Sequence, residues 1–202
     1  MMHIKCLPLG DYQTKCYLVW GDASATCAVI DPGYAGDLVL EQVQALGLTV
    51  EAVFLTHGHF DHVGGVPAIA EKTGCPVWIR EADWSIAPGY GIRQLFPLAG
   101  SDLPVQFYEQ GQRLSAGGLT FTVWETPGHT WGSVCLCCGD ALFTGDTLFA
   151  GSMGRTDFPH SNHPAMLESL RFLKGLCQDY AVYPGHGPAT TLAAEQAGNP
   201  YL

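Results

Sequence analysis

The chain has 202 residues, 47% hydrophobic and 14% charged, enough to bury the core of one domain and too apolar for a disordered chain. Lys and Arg number 9 against 19 Asp and Glu, a formal net charge of −10, which excludes a phosphate-backbone binder held by clustered basic residues. No run of about 18 apolar residues is present to span a bilayer, and the start, Met1-Met2-His3-Ile4-Lys5-Cys6-Leu7-Pro8, lacks the apolar stretch of an export signal.

In chain order, apolar and β-branched runs predict strands over Ile4 to Leu9, Cys16 to Trp20 and Thr26 to Ile30, the last closed by the turn signal Asp31-Pro32-Gly33. Leu38, Val39, Val43 and Leu46 recur near helical spacing and predict a helix from Asp37 to Leu46, stopped by Gly47. A buried strand follows over Val50 to Leu55, then a helix over Val66 to Lys72 and a strand over Pro76 to Ile79. Residues 85 to 104 are rich in Pro, Gly and aromatics without a period. They read as a long surface loop, with Trp84, Tyr90 and Phe96 as candidates for a pocket wall. Leu119 to Trp124, Ser133 to Cys138 and Ala141 to Thr144 predict three further strands. Pro164 to Leu176 predicts a helix capped near Asn162 or His163. Ala181 to Tyr183 predicts a last buried strand and Thr190 to Gln196 a short helix. Two similar blocks, each strand-rich and then helical, suit a layered α/β domain with sheets inside and helices outside.

The 8 cysteines are Cys6, Cys16, Cys27, Cys75, Cys135, Cys137, Cys138 and Cys177, and most lie in apolar runs. Without an export signal they read as reduced core thiols of a cytoplasmic protein. A soft metal site at Cys135-Leu136-Cys137-Cys138 is disfavoured, because strand alternation sends Cys138 to the face opposite Cys135 and Cys137.

Chemistry concentrates in Thr56-His57-Gly58-His59-Phe60-Asp61-His62, where three histidines and an aspartate fall within six positions directly after an apolar strand. Imidazole and carboxylate are ligands that zinc, iron and manganese accept. In an extended segment His57 and His59 point the same way. A turn after them swings Asp61 and His62 toward a second ion, with Gly58, Gly64 and Gly65 expected to relax the backbone there. His129, Asp146 and His186 each follow a predicted strand beside a glycine, and strand ends in layered α/β folds converge on one edge. Together these residues make a ligand set for two metals. Among the other histidines, His3 is expected at the surface, and His160 and His163 read as residues of a helix cap.

The Thr-His-Gly-His-Phe-Asp-His run, with His129, Asp146 and His186 in order behind it, resembles the metallo-β-lactamase superfamily over about residues 4 to 187. Within it, Gly145-Asp146-Thr147-Leu148-Phe149, Gly154-Arg155-Thr156-Asp157-Phe158 and Tyr183-Pro184-Gly185-His186-Gly187 are similar to small bacterial glyoxalase II-like hydrolases (hydroxyacylglutathione hydrolase-like). The resemblance implies a four-layer αββα sandwich, a single domain over residues 1–202. It also implies one metal on His57, His59 and His129, a second on Asp61, His62 and His186, and Asp146 bridging the two. The ions implied are two divalent metals, zinc foremost, with iron or manganese as alternatives. Only 16 residues follow His186 and none is Lys or Arg, so the glutathione-binding helical extension of longer glyoxalase II enzymes is not expected.

The activity so implied is hydrolysis of a small thioester or ester, such as S-lactoylglutathione to glutathione and a hydroxy acid, by a metal-bridged hydroxide attacking the carbonyl. Asp61 and Asp146 would orient that hydroxide. Arg155 is a candidate to pair with a substrate carboxylate; its alternative is an intramolecular pair with Asp157. The expected partner is a small molecule, not nucleic acid or membrane. Competing readings are a mononuclear iron persulfide dioxygenase using His57, His129 and Asp146, a lactonase or β-lactamase-type hydrolase, and a catalytically silent binding module. Metal content discriminates the first of these.

Overall fold

Successive side chains of a strand face opposite sides. In the computed structural model, which describes residues 1–86 and 92–202, that alternation sorts the core into three layers. The first sheet runs in spatial order through β1 (Met2–Leu9), β2 (Thr14–Gly21), β3 (Thr26–Ile30), β4 (Thr49–Phe54), β5 (Val77–Ile79) and β6 (Val105–Phe107). Its helices are α1 (Gly36–Ala45), α2 (Phe60–Val63), α3 (Val66–Thr73), α4 (Glu81–Trp84) and α5 (Ile92–Leu95). The second half adds β7 (Arg113–Ala116), β8 (Leu119–Glu125), β9 (Val134–Cys138), β10 (Ala141–Gly145), the small ribbon of β11 (Leu148–Phe149) and β12 (Ser152–Met153), then α6 (His163–Lys174), β13 (Ala181–Pro184), β14 (Thr190–Thr191) and α7 (Leu192–Gly198). The second sheet is ordered β14-β13-β10-β9-β8-β7.

Between the sheets lie Tyr17, Val19, Phe54, Phe121, Leu136 and Phe143. Leu18, Val29, Val39, Val43 and Ile69 join the first sheet to α1 and α3. Cys135, Leu142, Met166, Leu170 and Leu192 join the second sheet to α6 and α7. The chain is therefore an αββα sandwich, and each buried large apolar side chain contributes about 1.5–3 kcal/mol. Cys135 packs under α6 while Cys138 faces the inter-sheet layer, as strand alternation requires. All eight cysteines are free. Among the described residues no helix is long and apolar enough to cross a membrane.

α6 begins where the sequence places it. Asn162 is the N-cap and its side chain accepts the Ala165 N–H at 3.0 Å, with Pro164 in the first turn and Gly175 closing the helix. The stretch 85–104 departs from the long loop that its composition predicts. It carries α5, and Phe96 is buried. A helix of one turn is too short to register as a period. Trp84 ends α4, whereas Tyr90 lies outside the described residues. The sequence predicts neither β6 nor β7, nor the strands β11, β12 and β14, whose two residues each are too few to show alternation.

β4 runs parallel to β3, and β13 parallel to β10. Two antiparallel pairings, β8 with β9 and β9 with β10, turn β8 the same way as β10. The carboxyl ends of β8, β10 and β13 thus open on one edge, where the sheets are tied together. Tyr17 Oη donates to Pro184 O at 2.7 Å, Lys15 N to Gly185 O at 2.8 Å and Val134 N to Thr56 O at 2.8 Å.

Candidate metal centre

The chain leaves β4 at Phe54, bends at Thr56 and enters α2 from His59, whose backbone is extended. Gly58, Gly64 and Gly65 do not relax the backbone as the sequence suggests. None is among the positive-φ residues, and all three serve close approach instead. A Cβ on Gly58 would lie 2.9 Å from the Phe96 ring, and one on Gly64 would run into Gly33 O. The Gly64 contact holds the end of α2 against the loop after β3.

All seven histidines and aspartates expected as ligands meet at this edge. His57 Nε2 is 3.1 Å from His59 Nδ1, and His129 Nε2 is 2.9 Å from the same nitrogen. His62 Nε2 lies 3.4 Å from His186 Nε2 and 3.7 Å from Asp61 Oδ2, and His186 Nε2 is 3.2 Å from that oxygen. Asp146 stands between the two groups. Its Oδ1 is 3.4 Å from His62 Nε2, and its Oδ2 is 3.5 Å from His129 Nε2 and 3.6 Å from His186 Nε2. It reaches that position because Gly145, at the end of β10, takes φ +48°, a left-handed turn that glycine enters without penalty. Three overlapping sets, His57-His59-His129, His57-His62-Asp146 and Asp61-His62-His186, each bring their donor atoms within 4.8 Å.

The outward atoms are held as firmly. His57 Nδ1 donates to Thr56 Oγ1 at 3.1 Å, and Thr56 Oγ1 donates onward to Asp31 Oδ2 at 2.6 Å. His62 Nδ1 donates to the same Asp31 oxygen at 2.9 Å, and His129 Nδ1 to Arg155 O at 2.8 Å. His186 Nδ1 faces Tyr12 O at 3.3 Å. Thr14 Oγ1 donates to Asp61 Oδ2 at 3.0 Å. Partners of this kind fix the tautomer of a metal-binding imidazole and aim its free nitrogen.

The electrostatics fit divalent cations. Burial and the neighbouring imidazoles push His57 far down and His59 to about 2, so both are neutral with lone pairs available. Burial opposes charge on His62 too, but the carboxylates of Asp146 and Asp31 outweigh it and draw a proton there. Burial likewise opposes charge on His186, where Asp61 and Asp146 prevail. Asp146 Oδ1 is buried without a hydrogen bond, a costly arrangement for a carboxylate oxygen. Neutral nitrogens packed face to face, an orphaned carboxylate oxygen and a field that calls for positive charge are jointly satisfied by cations.

Three residues that the sequence reading does not assign to the site support it. Asp31, in the left-handed region at φ 49°, carries Thr56 and His62. Its signal was an aspartate at a strand end, the same signal as Asp146. Asp83 of α4 accepts Gly58 N at 2.9 Å, Gly132 N at 2.7 Å and Thr130 Oγ1 at 2.7 Å, pinning the loop of His57 to the loop of His129. His160 corrects the reading as a cap residue. It is 1% exposed, and its Nε2 is 2.7 Å from His59 Nε2. His163 stays outside, with Nδ1 2.9 Å from Thr156 Oγ1. His3 stacks on Trp20 away from the centre.

A cavity of about 620 Å³ lies over the centre. His59, Asp61, His129, Asp146 and His186 form its floor, and Tyr12, Phe60, Phe149, Met153 and Phe158 form much of its wall. Arg155 lines it as well. Its guanidinium is paired with Asp157 through bonds of 2.6 and 2.7 Å and lies 4.3 Å over the Phe158 ring.

The comparisons agree with the fold. A family model described as the metallo-beta-lactamase superfamily matches residues 9–186. Hydroxyacylglutathione hydrolase GloC of Haemophilus influenzae is 34% identical over 209 residues, covering 100% of this chain and 98% of that protein. The solved structure of TTHA1623 in a di-iron-bound form is 37% identical with a TM-score of 0.85, covering 98% of this chain and 100% of that one. The BLEG-1 B3 metallo-beta-lactamase is 33% identical with a TM-score of 0.85, covering 99% of both chains.

Proposed function

The chain belongs to the metallo-beta-lactamase superfamily of metallo-hydrolases, and from that premise we propose that it is a binuclear, glyoxalase II-like hydrolase of small thioesters. The observation that carries the proposal is the pair of donor sets, His57-His59-His129 and Asp61-His62-His186, with Asp146 between them. Each set would hold one divalent ion, zinc foremost, with the Asp146 carboxylate placed to serve both. A relative named hydroxyacylglutathione hydrolase supports the substrate class, S-acylglutathione or a related small thioester.

When bound, the ions supply Lewis acidity and a water acidic enough to act as nucleophile near neutral pH. The chain supplies the geometry. Asp61 and Asp146 would orient the attacking oxygen, and the Thr14 hydroxyl bonded to Asp61 Oδ2 limits how the Asp61 carboxylate can turn. Asp31, Thr56 and the Arg155 carbonyl keep the free nitrogens of His62, His57 and His129 aimed inward. Phe60, Phe149 and Phe158 hold the acyl part against the centre and exclude bulk water. The Arg155 guanidinium exchanges Asp157 for a substrate carboxylate. Its removal raises KM for anionic substrates, and unchanged KM and kcat for all of them would dismiss that role.

The deciding experiment is a thioester panel run beside metal analysis of the purified protein. Hydrolysis of S-lactoylglutathione with two metals per chain is expected. One iron per chain with oxygen uptake would overturn the reading in favour of a persulfide dioxygenase, and turnover of β-lactams or lactones alone would redirect the substrate class.

A further inference from the structure

The outer nitrogens of His57, His62, His129 and His186 all face oxygen: a hydroxyl, a carboxylate or a carbonyl. His59 differs. Its outer nitrogen, Nε2, meets another ring nitrogen, His160 Nε2, at 2.7 Å, while its Nδ1 faces His57 and His129. A carboxylate or carbonyl can only accept, so it dictates the tautomer by itself. Two neutral imidazoles make one hydrogen bond only if one nitrogen carries the proton and the other the lone pair. If His160 were the donor, the proton of His59 would sit on Nδ1, against the nitrogens of His57 and His129, and no cation could take that place.

We propose that His160 is a positioning residue for His59: its Nε2 accepts the His59 Nε2–H, which keeps the lone pair of Nδ1 turned into the metal centre. The inference rests on the proposed function for its consequence, but the hydrogen bond itself does not depend on metal. His160 is built into place for the task. Its ring stacks on Phe158 at 5.1 Å and 11° and meets the edge of Phe96 at 4.7 Å. Its backbone neighbours are tied to the His129 loop, Ser161 Oγ donating to His129 O at 2.6 Å and Asn162 N to Gly128 O at 2.8 Å. The His160 Nδ1 is buried with no partner. With the Nε2 lone pair turned to His59, the proton of His160 sits on this Nδ1, so the arrangement carries the cost of an unsatisfied buried N–H.

The test uses the metal-free and metal-loaded full chain. Nitrogen-15 NMR of the histidine rings in the metal-free protein reads the tautomer directly, and wild type is expected to hold His59 as the Nε2–H form. In His160→Ala the His59 signals should become those of mixed tautomers. Zinc affinity, measured by chelator competition, should fall about 10–100-fold for one of the two ions. His160→Gln, whose amide oxygen can accept in place of Nε2, should recover most of that loss. A wild-type His59 protonated on Nδ1, or an unaltered Nε2–H form in His160→Ala, would overturn the inference. Equal zinc loss in the Gln and Ala variants would assign His160 a packing role instead. If wild type bound no zinc, iron or manganese, the hydrolase reading would fail while the NMR tautomer would still decide this one.

Discussion

Asp31 Oδ2 lies 2.9 Å from His62 Nδ1, and both side chains are buried. The same carboxylate accepts the amide and the hydroxyl of Thr56, through which it also steadies His57. One aspartate at the end of β3 therefore orients a ligand candidate in each of the two donor sets. Asp31→Ala leaves three buried donors without an acceptor, and we expect a loss of about 3–5 kcal/mol of stability. Urea unfolding of the metal-free protein measures it, and a midpoint equal to wild type would contradict the account.

Asp146→Ala removes the carboxylate that stands between the sets but contributes no bond to the core. Activity should drop by about 10²-fold or more, since even outer partners of metal ligands cost 10–100-fold, while the far-ultraviolet circular dichroism stays native. A variant that keeps two ions and full turnover would remove Asp146 from the bridge position.

Asp83 is 1% exposed and holds the amides of Gly58 and Gly132 and the Thr130 hydroxyl. Leaving buried donors unmet costs about 1–3 kcal/mol for each group, so Asp83→Ala should be among the most destabilising substitutions outside the apolar core. It should also loosen the His57 and His129 loops relative to each other. Faster amide exchange at Gly58 and Gly132 is the specific sign, and exchange unchanged at both would show that other contacts fix the loops.

Metal removal should lower the melting temperature without unfolding the chain, because the αββα core does not pass through the centre. Each ion present at about 1,000 times its Kd stabilises by about 4 kcal/mol, which for a domain of this size is a shift on the order of 10 °C per ion. Calorimetry with and without chelator measures it. A melting temperature indifferent to chelation would indicate that these donors hold no ion.

The amino-acid sequence alone specified the layered α/β class and marked the seven residues that the fold brings together at one edge. Strand alternation and the His-Gly-His-Phe-Asp-His cluster are local, and a single aspartate or histidine at a strand end is visible once strands are known to converge. What holds those seven in place was decided by the tertiary structure. Asp31 and Thr56 are 25 residues apart, Asp83 and Thr130 are 47 apart, and His59 and His160 are 101 apart. Periodicity reports which face a side chain takes, but not which distant donor will stand opposite it. That choice is made by strand order and by the loops that cross the sheet edge. His160 thus passes in sequence for one more residue near a helix start, and only the fold brings its ring nitrogen against His59.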